Sequence, residues 1–186
     1  NIKFLRTSGF ILLVLVILYI GLRPINKFFG DMGVYAFNFQ RYARGMAVTT
    51  TKDTFFHYYM KLLSYGVGVY GFFFITAILY IFPMYLISKR CFKFYRFYAF
   101  LMFVASFSFF TYGTNGIRNG LASSMFIWGL CYPHKKIFMG VCFLISISFH
   151  QSLLLPIMAY GLTLLYNNPK TYLKAWLLAI PVSLIM

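Results

Sequence analysis

Arg23, Asp31, Arg41, Arg44, Arg118 and His150 lie within or beside apolar stretches of this chain. Placing an ionisable group near hydrocarbon is costly, so each is a functional candidate by default. Arginine carries a planar, permanently charged fork of donors suited to phosphate and carboxylate. Histidine exchanges a proton near neutral pH, and an aspartate serves either as a base or as an ion-pair strut. The set points to anion recognition next to proton transfer.

The pattern Thr114-Asn115-Gly116-Ile117-Arg118-Asn119-Gly120 reads as a helix start. Thr114 is expected to cap it, and its first turn then presents Arg118 flanked by Asn115 and Asn119. Free N–H groups, a positive dipole end and a guanidinium make an anion site there. Gly116, Gly120 and Ser124 form a small-residue stripe that lets another helix approach closely. An isolated arginine at this depth ordinarily snorkels to the interface, but the asparagines and glycines around this one favour a site. His150 sits between Phe149 and Gln151, where a lone histidine is ordinarily a structural residue bonded by Ser146 or Gln151. Its expected depth on the same side as Arg23 and Arg118 favours a role with a proton or a phosphate. His57 and His134 read as surface residues without a role.

The elements that must position these groups belong to a membrane protein. Seventeen Lys and Arg face two acidic residues, Asp31 and Asp53, for a net charge of +15, and 61% of the chain is hydrophobic. With a mean hydropathy of +0.77, this excludes an ordinary soluble domain and predicts an all-α polytopic integral membrane protein. The three cysteines, Cys91, Cys131 and Cys142, are odd in number and widely spaced, which supports neither a disulfide framework nor a zinc site. With two carboxylates, no cage of the kind Mg²⁺ prefers is visible, so neither metal nor cofactor is expected. The sequence opens at Asn1 without Met and stops at Met186 in an apolar run, and so reads as a piece of a longer chain.

Apolar spans of about 15–25 residues match the length that a ~30 Å hydrocarbon core asks of a helix. They cover residues 8–22, 62–88, 97–112, 117–132, 137–149, 153–166 and a last one over 175–186. This gives about six to seven transmembrane or re-entrant helices in a single membrane domain, the two flanking His150 being short enough to form a broken pair. Lys3/Arg6, then Lys89, Arg90, Lys93 and Arg96, then Lys135/Lys136, then Lys170/Lys174 recur at every second loop. By the positive-inside rule they are cytoplasmic, as is the N-terminus. The loop 23–61, the 111–119 turn and the surroundings of His150 then share the outer face. Within that loop, residues 33–46 and 53–63 read as two short interfacial helices. The first carries Tyr35, Phe39, Tyr42 and Met46 as its stripe. The second is capped by Asp53 and carries Phe55, Phe56, Tyr59 and Leu63. The aromatic stripes are expected to anchor the loop at the interface.

Leu22-Arg23 followed by Gly30-Asp31 and Tyr35, then Gly116-Ile117-Arg118-x-x-x-Ala122, then Phe149-His150-Gln151-Ser152 resemble, in order and spacing, the EpsG-like branch of the Wzy polysaccharide polymerases. The resemblance runs from about Leu5 to Tyr166. It implies a bacterial inner-membrane glycosyltransferase of the GT-C type that polymerises undecaprenyl-diphosphate-linked repeat units on the outer face. By that likeness Arg23, Asp31, Arg118 and His150 become candidate functional positions. The residue chemistry independently makes Asp31 and His150 the candidate catalytic residues, Arg23, Arg118, Arg41 and Arg44 candidate diphosphate ligands, and Asn115, Asn119 and Gln151 their supports. The implied partners are lipid-linked glycans, the bilayer, and a chain-length regulator and flippase of the same pathway, with no nucleic acid. No acidic residue follows Asp53. A transporter or flippase for a lipid-linked or anionic solute would use the same arginines without making a bond. A purely structural subunit would leave the polar cluster unexplained.

Overall fold

The computed structural model describes residues 2–26, 29–50 and 52–185, with the side chains of residues 2–4, 6 and 179–185 left aside. The side chains of Lys3 and Arg6, and Met186 at the end of the last expected span, thus lie outside the described residues. Ten α-helices and no strand occur among those described. Residues 1–153 form one compact unit and residues 154–186 a second.

In the first unit the helices are α1 (Ile2–Gly21), α2 (Met32–Ala43), α3 (Thr54–Ser64), α4 (Val69–Cys91), α5 (Arg96–Ala105), α6 (Phe107–Thr114), α7 (Ile117–Leu130) and α8 (Lys136–Phe149). The expected run 62–88 is split: α3 ends at Ser64, a turn follows through residues 65–68, and α4 starts at Val69. The expected span 97–112 also breaks. Ser106 has extended backbone, its hydroxyl turns back to the Phe103 carbonyl at 2.8 Å, and α5 and α6 meet with a bend of 65°. Among the described residues, α4 is the one helix long and apolar enough to cross a membrane by length and composition, and residues 93–114, bent at Ser106, make a second if counted as a single broken span. Apolar helices over Thr7–Gly21 and Lys136–Phe149 are shorter.

Helix α4 is the hub, packing against α1, α7 and α5 and also touching α3 and α2. It buries Phe72, Phe73, Thr76, Ala77, Tyr80, Ile81 and Met84, close to a helical repeat. Pro83 removes the N–H that would bond the Leu79 carbonyl. One residue on, the Tyr80 carbonyl accepts from Ser124 Oγ on α7 at 2.5 Å. That contact exists because Gly120 has no side chain: a Cβ there would lie 2.7 Å from the Tyr112 carbonyl oxygen and 3.1 Å from the Tyr80 ring. The predicted small-residue stripe thus closes α7 on α4. On α8, Ser146 Oγ donates to the Ala122 carbonyl at 2.7 Å.

Helices α2 and α3 pack on each other and on this bundle through aromatic rings. Phe56 is fully buried among Tyr35, Tyr59, Phe72 and Phe149, with ring centroids 5.4 to 6.3 Å away. Burying such a side chain contributes about 1.5–3 kcal/mol. Tyr35, Phe39 and Tyr42 are buried as well, so these rings build an internal core and are not interfacial anchors, whereas Met46 is exposed. His57 is buried too, at 8% exposure, contrary to its reading as a surface residue, because Tyr42 Oη meets its Nδ1 at 2.8 Å. His134 is exposed as expected.

Basic groups at the two ends of the unit are held differently. Arg90, in the last turn of α4, stacks 4.4 Å from the Tyr132 ring just beyond α7, and Lys135, before α8, lies 5.7 Å from the same ring. Arg23, at the end of α1, instead bonds the Thr114 carbonyl where α6 hands over to α7. In the second unit, α9 (Leu154–Leu165) and α10 (Pro169–Ile185) are joined by a turn. There Asn168 Oδ1 accepts from the Lys170 N–H at 3.1 Å, and Pro169 opens α10 with its φ already suited to a helix.

Candidate functional site

Arg118 is the centre of the polar cluster. It stands in the first turn of α7, whose N-cap is Gly116; Thr114, predicted as the cap, turns its hydroxyl back to the Phe110 carbonyl at 2.8 Å. Arg118 Nη1 pairs with Asp53 Oδ2 at 2.5 Å, the one ion pair among the described residues. Its Nε–H donates to Tyr35 Oη at 3.2 Å, and its guanidinium lies 5.8 Å from the Tyr35 ring centroid. Tyr35 Oη in turn faces Asp31 Oδ2 at 3.4 Å. Burial pushes the Tyr35 phenol above its ordinary range, with Arg118 opposing. Tyr35 therefore keeps its proton and can donate to Asp31 while accepting from Arg118.

Asp31 is positioned by its backbone. Its N–H donates to Asn115 Oδ1 at 2.8 Å, and Gly30, at φ +46°, would bring a Cβ to 2.7 Å from that same oxygen. Glycine is thus required at position 30 both for the left-handed conformation and for the close approach. Asp31 is exposed, so its carboxylate is open to solvent or substrate.

Sequence reasoning missed Asp53 as a site residue. It occupies the N-cap position of α3, as predicted, but makes no capping bond and instead reaches Arg118. Its backbone is left-handed at φ +50°, a strained state that Asp tolerates better than most residues. The available signal was charge scarcity: both acidic residues of the chain stand beside one arginine. Tyr35, named only as a stripe residue and in a motif, is the other missed member.

His150 ends α8 in extended backbone, where its Nδ1 meets Ser152 Oγ at 2.8 Å and accepts from the Ser152 N–H at 3.2 Å. Ser152 Oγ in turn lies 3.5 Å from Asn119 Oδ1, next in the chain to Arg118. The histidine is half-buried and joins the Arg118 group through Asn119; its N–H donates to the Ser146 carbonyl at 3.1 Å, while its imidazole is partnered by Ser152 and not by the Ser146 or Gln151 side chain. Ser146 is committed to α7, and Gln151 is exposed.

Arg23 is 7% exposed. Its Nη1 donates to the Ile20 carbonyl and its Nη2 to the Thr114 carbonyl, the latter at 3.1 Å. Burial alone lowers its pKa to about 10, which leaves it charged at neutral pH. Arg41 and Arg44 are not brought to the cluster. They close α2, about 15 and 20 Å along the helix from Asp31, and Arg41 Nε lies 3.2 Å from Met46 Sδ over the Phe37 ring.

The arrangement can hold an anion at the N-terminal end of α7 and can offer a carboxylate to a hydroxyl proton beside it. No curated protein and no solved structure shows a detectable match. The family model for the EpsG family matches residues 6–186 and supports a polymerase-like role in polysaccharide biosynthesis with a membrane association. Its match covers nearly the whole chain, and Gly30-Asp31, Tyr35, Gly116-Ile117-Arg118 and His150, from separate segments, form one linked constellation: the chain belongs to the EpsG family.

Proposed function

We propose that this chain polymerises undecaprenyl-diphosphate-linked oligosaccharide repeat units into O-antigen, capsule or exopolysaccharide, as a membrane-embedded, metal-independent GT-C-type glycosyltransferase at the outer face of the bacterial inner membrane. The observation that carries this reading is the linkage of Asp31, Tyr35, Asp53, Asn115 and Arg118, contributed by segments far apart in sequence. Family membership supplies the polysaccharide context.

In this reading the acceptor hydroxyl oxygen attacks the anomeric carbon of the donor sugar. The bond from that carbon to the diphosphate breaks, and the diphosphate leaves with the electron pair. Asp31 takes the hydroxyl proton, and Tyr35 and Asn115 hold it in place. Arg118 and Arg23 stabilise the departing charge through donors fixed before the reaction. His150, steadied by Ser152 and Asn119, attends phosphate or hydroxyl. Gln151 is a peripheral support, and Arg41 and Arg44 are outlying ligands for the anionic substrate. About six to seven spans with a cytoplasmic N-terminus put the basic end of the bundle inside and the Arg118 end outside. A chain-length regulator and a flippase of the same pathway are the proposed partners.

The helix breaks at residues 66–68 and at Ser106 keep one alternative in view, a transporter or flippase of a lipid-linked or anionic solute. Purified protein in detergent, given lipid-linked repeat units without a gradient or second compartment, separates the two. A ladder of polymer is expected from the enzyme. No ladder, together with movement of the lipid-linked substrate across sealed vesicles, would establish the transporter.

A further inference from the structure

Arg23 differs from Arg118 in lacking any counter-charge. Asp53 pairs with Arg118 and Asp31 faces Tyr35, so neither carboxylate of the chain forms an ion pair with Arg23. Its two bonds go to main-chain carbonyls at the C-terminal ends of α1 and α6, and its Nε is buried with no hydrogen-bond partner. Buried guanidinium groups are ordinarily paired, and an unpaired donor there costs free energy unless something else meets it.

Arg23 also lines a cleft of about 350 Å³ between α1 and α6, within the size range of small-molecule sites. The walls are apolar: Leu18, Tyr19, Leu22 and Phe110, which stand 41%, 69%, 60% and 43% exposed. The guanidinium is steadied by two carbonyls and by the Phe29 and Phe73 rings at 5.9 and 5.5 Å, but no carboxylate pairs with it; an apolar cleft whose lining includes such a cation fits a molecule with a long apolar tail and a phosphate head.

We infer that the α1–α6 cleft is a lateral seat for an isoprenoid lipid phosphate, with the first part of the tail between Leu18, Leu22 and Phe110 and the phosphate oxygens on Arg23. The assignment rests on the polymerase reading and divides its arginines. Arg23 receives the lipid-borne diphosphate on entry, and Arg118, already held by Asp53 and Tyr35, meets the same charge as it departs. Thr114 and Asn115 are consecutive, so the acceptor of Arg23 adjoins the residue that positions Asp31. A lipid seated in the cleft would present its head group beside that carboxylate.

The test uses the whole chain in phosphatidylcholine nanodiscs doped with undecaprenyl phosphate, with retained lipid read by native mass spectrometry and polymer formation measured in parallel. Wild type is expected to retain undecaprenyl phosphate. Leu18→Trp fills the cleft from its exposed wall without touching the cation and should lower retention several-fold. Arg23→Gln should lower it about tenfold, the value of a charge-assisted hydrogen bond. Should Arg23→Gln fail to accumulate, Leu18→Trp still decides. Retention by Leu18→Trp equal to wild type, or displacement by phosphatidylglycerol as effective as by undecaprenyl phosphate, would reduce Arg23 to a strut between two helix ends. A polymer ladder without selective retention overturns the seat and leaves the polymerase standing; selective retention without a ladder does the reverse.

Discussion

Asp53→Asn removes the charge that holds Arg118 and keeps the shape. The pair is short, 2.5 Å, with Arg118 33% and Asp53 14% exposed. A fully exposed pair contributes at most about 1 kcal/mol, and stripping one partner from a fully buried pair costs about 3–5 kcal/mol. One-third exposure of the arginine lets water screen the orphaned charge, which places the loss at the low end of that gap, ~1.5–2 kcal/mol. For a chain of 186 residues this corresponds to a fall in melting temperature of about 3–8 °C. A thiol-reactive dye can follow unfolding, because Cys131 and Cys142 are buried; Cys91 is exposed and would be replaced by Ser beforehand. The companion variants are Arg118→Gln and the double change, in which the orphaned charge is gone and stability should partly return. The reasoning fails if the double variant loses the sum of the two single losses to within ~0.5 kcal/mol, since independent sites add in that way.

If Arg118 forks between Asp53 and Tyr35, Arg118→Lys should give a membrane-inserted protein with little polymer, because an ammonium is a point charge without the planar fork; wild-type ladders would return Arg118 to simple anchoring. Asp31→Asn should accumulate normally and lose polymerisation if the carboxylate takes a proton, and normal ladders at normal abundance would remove it from the site. Gly120→Val should lower stability by roughly 1–3 kcal/mol through overpacking against the Tyr112 carbonyl and the Tyr80 ring, seen as reduced abundance and earlier dye labelling. Burial first, then Arg118, holds the His57 imidazole below its ordinary range against the Asp53 carboxylate. With the folded value below the unfolded one, its contribution is whole above about pH 6.5 and is lost as pH falls through the folded value. Melting temperature should therefore decline on acidification below that point and decline less in His57→Gln; equal slopes would refute the assignment.

Residue types alone determined the helical class, because an apolar chain with two carboxylates can satisfy its backbone in a membrane environment chiefly through helices. They also determined the helices α2 and α3, whose stripes of Tyr35, Phe39 and Phe56 follow the helical repeat, and the closing of α7 on α4 through Gly120 and Ser124, since small residues four apart leave room for a neighbouring backbone. Order along the chain picked out Gly30-Asp31, Arg118 and His150. Partnership was not legible there. Asp53 looked like a helix cap because capping is a local rule, yet a contact 65 residues away in sequence took its carboxylate. His57 looked exposed because it lies in a loop read as interfacial, and its partner, Tyr42, stands on another helix. The breaks at residues 66–68 and at Ser106 turned expected spans into shorter helices, since hydropathy averages over a window and does not register a turn. Arg23 and Arg118 read alike in sequence. Only the tertiary structure decided that one is paired with a carboxylate and the other is buried without one, because a charge finds its counter-charge through space and not along the chain.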